Sequence, residues 1–207
     1  MGPRLMALKR TALASTVIVV SVLIAMGVAW AGGHGGVEIA GIPLIVGCAW
    51  LAFAVQWVAF VPAFVRQTER FYDLVGSLTY MAVTALAIAG SRPTDARSAL
   101  LGILVFVWAL RLGSFLFRRI QAAGSDPRFD EIKPSAPRFL VAWTLQGLWV
   151  FLTLSAALAA ITTLTSAELG LADAVGLVVW VAGFAIEVVS DRQKSRFRAE
   201  RPGHFVT

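Results

Sequence analysis

The stretch Gly176-Leu-Val-Val-Trp180-Val-Ala-Gly183-Phe184-Ala-Ile-Glu187-Val-Val-Ser-Asp191-Arg192-Gln193-Lys194-Ser-Arg196-Phe197-Arg198 decides how the chain reads. It is an apolar run that takes up Glu187 well before it ends and then continues through Asp191, Lys194 and Arg198. Those four residues are spaced i, i+4, i+7 and i+11, so on a continuous helix they form one stripe. A plain membrane anchor would leave the bilayer on bases alone. Acids this close to hydrocarbon are costly and are usually functional. The stripe is therefore expected to wall a polar site at the membrane face.

Composition places that site in a membrane protein. Of 207 residues, 58% are hydrophobic and 14% charged, and the mean hydropathy is +0.77. Soluble domains carry about 25% charged residues. The net charge of +6 is spread between apolar segments, which fits loops beside a membrane and excludes a nucleic-acid binder. The one cysteine, Cys48, lies inside an apolar run, and His34 and His204 have no partner at ligand spacing. No disulfide framework or metal site is expected.

About 20 mostly apolar residues cross the hydrocarbon core. Six stretches qualify, near Thr11–Ala31, Ile39–Val65, Phe71–Gly90, Ser98–Phe117, Phe139–Ile161 and Leu171–Ser190. The expected fold is all-α, a polytopic bundle of about six transmembrane helices in one membrane domain over residues 1–207. Residues 1–68 make two leading helices without a signature. The first run follows Arg4, Lys9 and Arg10 and ends Ala29-Trp30-Ala31-Gly32, like a signal peptide with a small-residue cleavage site. It is longer than the usual signal core of about 7–15 residues, so an uncleaved first helix is expected.

Loop charges orient the bundle. Arg66 and Arg70, then Arg118, Arg119, Arg128, Lys133 and Arg138, then Arg192 to Arg201 lie on the side of the N-terminal bases. Residues 32–38 and 162–173 hold no Lys or Arg, and only the Ser91–Arg97 loop departs, with Arg92 and Arg97. Both termini are expected to be cytoplasmic.

Polar residues recur at membrane depth. Asp73, Ser77, Tyr80 and Thr84 repeat the i, i+4, i+7, i+11 stripe. Ser77 and Thr84 read as a packing seam, but Asp73 needs a basic partner. Arg111 is the expected candidate, about two turns inside its helix, whereas Arg118 and Arg119 read as snorkelling to the headgroups. Gln146, between Trp143 and Trp149, reads as glue between helices. A mixed set of acids and bases at one face suits a ligand with phosphates and hydroxyl or amide groups. No glycine-rich dinucleotide fingerprint follows a strand.

Several of these stretches resemble the bacterial DUF1295 family of membrane proteins. They are Phe71-Tyr72-Asp73-Leu-x-Gly76-Ser77-Leu-Thr-Tyr80, Trp108-Ala-Leu-Arg111-Leu-Gly113 with Arg118-Arg119-Ile120, and Asp126-x-Arg128-Phe129. Gly183-Phe-x-Ile-Glu187-x-x-x-Asp191-x-Gln193-x-x-x-Phe197-Arg198 is the most specific of them. The resemblance runs from about Glu69 onward, and that family is grouped with the steroid 5α-reductase C-terminal domain superfamily. It implies a multi-pass bacterial inner-membrane reductase that uses NADPH on a carbon–carbon double bond conjugated to a carbonyl in a lipid-like, steroid- or isoprenoid-type substrate.

The resemblance further implies cofactor contacts from Glu187, Asp191, Lys194 and Arg198, with Arg111, Asp126 and Arg128 beside them. Glu187 stands where steroid reductases have asparagine. An acid or phenol must polarise the carbonyl, and Tyr80, with Asp73 and Glu69 nearby, is the expected group. The family continues past this helix with a Gly-Leu-Trp turn and a Ser-Arg-His-Pro-Asn-Tyr segment where this chain reads Arg201-Pro-Gly-His-Phe-Val-Thr207, so a truncated product is expected. Two other readings stand beside the reductase. One is an S-adenosylmethionine enzyme like isoprenylcysteine methyltransferases, and the other a non-catalytic bundle whose charges pair with each other.

Overall fold

A computed structural model describes residues 3–91, 95–165 and 168–201, with side chains from residue 11 onward. It has six helices long and apolar enough to cross a membrane: α1 (Pro3–Gly32), α2 (Leu44–Val65), α3 (Tyr72–Gly90), α4 (Ala96–Ala123), α5 (Ala136–Thr162) and α6 (Leu171–Glu200). Arg92, the exception among the loop charges, lies outside the described residues, as do the side chains of Arg4, Lys9 and Arg10.

The chain divides into two compact units, Met1–Ser166 and Ala167–Thr207. In the first, α5 packs against α1, α2 and α3, while α3 also packs against α2 and α4. Ala49, Phe53, Val83, Ala87, Ala109, Phe151 and Leu158 fill the core and are completely buried. Leu23, Val58, Ile103, Leu110 and Trp149 point outward and are exposed. Such an apolar exterior is what a bilayer solvates. Within a bilayer, helices associate through small residues that let backbones approach. A Cβ at Gly113 of α4 would lie 2.6 Å from Cβ of Ser77 on α3, and one at Gly147 of α5 would lie 3.0 Å from the Phe53 ring.

One expected boundary is corrected. The second helix begins at Leu44 rather than Ile39, because Glu38–Ile39 (β1) and Ile42–Pro43 (β2) form an antiparallel hairpin. Its two turn residues, Ala40 (φ 52°) and Gly41 (φ 77°), are both left-handed, as a tight two-residue turn requires. Pro43 then caps the helix. Val37 donates to the Thr162 carbonyl at 2.7 Å, tying this hairpin end to the end of α5. The opposite end of the unit carries the loop between α2 and α3 and the loop between α4 and α5, and there the charges collect.

The second unit is helix α6. Asp173 closes its first turn, its carboxylate accepting from the Gly170 N–H at 2.8 Å. Trp180 and Phe184 stack one turn apart at 4.9 Å. Its 30 residues measure about 45 Å, longer than a hydrocarbon core of roughly 30 Å.

Candidate functional site

The α2–α3 loop turns sharply. Gln67 adopts φ 50°, and the Thr68 N–H returns to the Ala63 carbonyl at 2.9 Å. This turn sends Glu69 inward, where it is 4% exposed. Its carboxylate accepts from the Asp126 backbone N–H and from Lys133 Nζ, each at 2.7 Å. Lys133 also reaches Asp130 at 3.1 Å. Burial disfavours the Lys133 charge, but its hydrogen bonds to Glu69 and Asp130 outweigh that, and its pKa lies above the usual value. Arg70 Nε donates to the Gly124 carbonyl at 3.0 Å, which joins the two loops again.

The α4–α5 loop is held down by aromatic packing. A single 3-10 turn, Pro127–Phe129, inserts Phe129 beside Phe139 and Tyr72, with ring centroids 6.1 and 4.9 Å away. Tyr72 meets Trp143 edge-on at 5.0 Å and donates its hydroxyl to the Ala142 carbonyl at 2.8 Å. On this plug sits Asp126, which accepts from Arg128 Nε at 2.9 and 3.0 Å and from its backbone N–H at 3.0 Å. The hydrogen bond from Arg128 holds the Asp126 carboxyl below its ordinary range. Between the two loops lies a cleft of about 400 Å³ lined by Arg66, Arg70, Lys133, Glu69, Gly124 and Ser125.

The partner of Asp73 corrects the expectation from sequence. Asp73 sits in the first turn of α3 and pairs with Arg119 at 3.5 Å, with Arg128 and Asp126 also facing it. Arg119 is thus not simply a snorkelling residue, since the last turn of α4 ends beside the first turn of α3. Arg111 lies eight residues back along α4, about 12 Å of helix rise, and its guanidinium carbon stands 5.4 Å from the Phe115 ring.

Tyr80, Asp73 and Glu69 have separate surroundings. Tyr80 is buried, packs edge-on against Trp108 at 4.8 Å and hydrogen-bonds Thr153 Oγ1 at 2.7 Å. The Thr153 hydroxyl itself reaches the Trp149 carbonyl at 2.8 Å, so Tyr80 is the donor of that pair. Asp73 is seven residues away, roughly 10 Å of rise. Among the described residues, no hydrogen bond joins any two of the three. The structure brings Asp73, Asp126 and Arg128 together. Glu187, Asp191, Lys194 and Arg198 line one face of α6, within the second unit.

Sequence reasoning passed over Glu69 with Lys133, and Arg66 with Arg70, as a constellation. Lys133 read only as a loop charge, because nothing in a separation of 64 residues marks it as a partner. Deeper in the bundle Gln56 of α2 donates to Thr79 Oγ1 of α3 at 2.9 Å, while its oxygen, the Gln146 oxygen and Trp143 Nε1 are buried without a hydrogen-bond partner. No group of three or more His, Cys, Asp or Glu that could hold a metal occurs among the described residues.

Residues 59–205 match the sequence pattern of a family described as "Protein of unknown function (DUF1295)". The chain belongs to the DUF1295 family. The match covers the loops that gather the charges in the first unit and, separately, helix α6. No curated protein and no solved structure matches this DUF1295 chain.

Proposed function

We propose that this DUF1295 protein is a membrane-embedded reductase that uses NADPH on a carbon–carbon double bond conjugated to a carbonyl in a lipid-like substrate. The observation that carries the reading is the gathering of Arg66, Arg70, Lys133, Arg119 and Arg128 around one polar end of an otherwise apolar bundle. Arginine forks suit phosphate oxygens, and carboxylates beside them suit ribose hydroxyls and a carboxamide. The donor set fits a dinucleotide phosphate in kind: Arg66 and Arg70 line a recess, and Arg70 spends only its Nε on Gly124.

In this reading Arg66, Arg70, Arg111 and Arg128 hold phosphates; Lys194 and Arg198 carry the same phosphate-binding chemistry within the second unit. Asp126 accepts a hydrogen bond from sugar or amide, a chemistry that Glu187 and Asp191 share within the second unit. When bound, NADPH supplies a hydride to the β-carbon, and solvent supplies the proton that completes the α-carbon. Tyr80 polarises the carbonyl: its hydroxyl is already a donor, and the substrate oxygen replaces Thr153 as its acceptor. The apolar shell around Tyr80 keeps water from competing for that hydrogen bond. Asp73, held by Arg119, and Glu69, held by Lys133, anchor the start of α3, the helix that carries Tyr80 at its middle.

The test is a thermal-shift titration of detergent-purified protein with NADPH, NADH and S-adenosylmethionine, since a ligand of the folded state raises its melting temperature by mass action. A shift with NADPH that Arg128→Gln and Arg198→Gln weaken supports the reductase. A shift with S-adenosylmethionine alone would place the chain among methyltransferases, and no shift with any of the three would leave a non-catalytic bundle.

A further inference from the structure

A second cleft, of about 580 Å³, opens between α1 and α5 at the same polar end of the bundle. Leu13 and Val17 of α1 form one wall, and Val141 and Leu145 of α5 form the other. Leu13 is 66% and Leu145 44% exposed. Both belong to membrane-spanning segments, so the cleft faces hydrocarbon rather than the bundle interior. Its mouth is polar. Arg138, in the first turn of α5, donates one N–H to the Glu131 carbonyl at 2.9 Å, which aims the side chain and leaves most of its five donors unused. The Glu131 carboxylate lies on the same rim and is exposed.

We infer that this cleft binds a single-chain amphiphile with an acidic head, its tail between α1 and α5 and its head on Arg138. Three features select that occupant. The walls are aliphatic on the bilayer side, so a hydrocarbon tail enters from the membrane without crossing water. The volume lies in the range of small-ligand pockets and, at about 30 Å³ per water-sized unit, holds about 20 heavy atoms. That is the size of one fatty carboxylate. The cation at the mouth is fixed by a backbone carbonyl, so it loses little freedom on pairing with a carboxylate or phosphate. Glu131 opposes a second negative charge, which limits the head to one acidic group.

As a binding site the cleft stands independently of the reductase reading.

The experiment uses the protein in phosphatidylcholine nanodiscs without NADPH, titrated with oleate and with oleyl alcohol at mildly alkaline pH, with melting temperature as the readout. Oleate is expected to stabilise the protein at a concentration at least tenfold lower than oleyl alcohol does. Arg138→Gln should abolish that difference and Arg138→Lys should keep it. Leu145→Trp, which fills the cleft from an exposed position, should weaken both ligands. Glu131→Gln should strengthen oleate binding. Equal response to the two ligands, or an unchanged preference in Arg138→Gln, overturns the assignment. So does loss of the oleate response in discs containing phosphatidylglycerol, which would make a bilayer lipid the occupant. NADPH is absent throughout, so failure here and failure of the reductase reading are separate results.

Discussion

Glu69 in the α2–α3 loop and Lys133 in the α4–α5 loop lie 2.7 Å apart, with side-chain exposures of 3% and 14%. The pair binds together two loops that carry the candidate site. Removing one partner from a buried pair leaves an uncompensated charge and costs about 3–5 kcal/mol. Glu69→Gln or Lys133→Met is therefore expected to lower the melting temperature markedly in detergent. The double variant should recover part of the loss. Full additivity of the two single effects would show that the pair does not act as a unit.

The pH dependence of the Lys133 contribution has a definite sign. Lys133 is raised above its ordinary pKa, its hydrogen bonds outweighing burial. Its contribution is thus complete below the unfolded value of about 10.4 and is lost as pH rises through the higher folded value. The difference in melting temperature between the protein and Lys133→Met should be flat at neutral pH and shrink only above about pH 10.4. Asp126 is lowered by Arg128, so its contribution persists at neutral pH and fades only as pH falls below the ordinary carboxylate range. A difference that shrinks near neutrality would contradict the assigned direction for Lys133.

Arg128 separates binding from folding. Its side chain is 69% exposed against 15% for Asp126, and Asp126 keeps its bond from the Arg128 backbone N–H. An ion pair open to solvent on one side contributes about 1 kcal/mol. Arg128→Gln should leave the melting temperature nearly unchanged and lower the affinity for NADPH several-fold. Circular dichroism melts with and without ligand would decide it. An unchanged affinity removes Arg128 from the proposed phosphate set.

The α3–α4 crossing is set by Gly113 against Ser77. A methyl at Gly113 would meet Ser77 Cβ at 2.6 Å, and neither atom can rotate away. Gly113→Ala should destabilise by roughly 1–3 kcal/mol, as overpacking does. Adding Ser77→Gly removes the opposing Cβ and should restore part of that stability. If Ser77→Gly gives no relief, the two helices are not in close contact at this point.

Much of the bundle was legible because a membrane helix is a local object. It satisfies its own backbone hydrogen bonds, and its apolar length has only to match the hydrocarbon. Hence the α3 span of Phe71–Gly90 read from the residues meets a helix of Tyr72–Gly90. The hairpin at residues 38–43 was missed because Ile39 and Ile42 are apolar enough to continue a span. Only the left-handed turn at Ala40 and Gly41 takes them out of it.

Legible from the residues alone were the six membrane-length helices found among the described residues, the acids and bases at the ends of the spans, and the need of Asp73 for a cation. Which cation it takes depended on where helices end in space. The last turn of α4 stops beside the first turn of α3, so Arg119 reaches Asp73. The turn at Gln67 buries Glu69 where Lys133, 64 residues on, can meet it. Periodicity reports which residues share a face of one helix. Pairing across helices depends on tilt, loop length and close contact at small residues such as Gly113, and only the tertiary structure carries those.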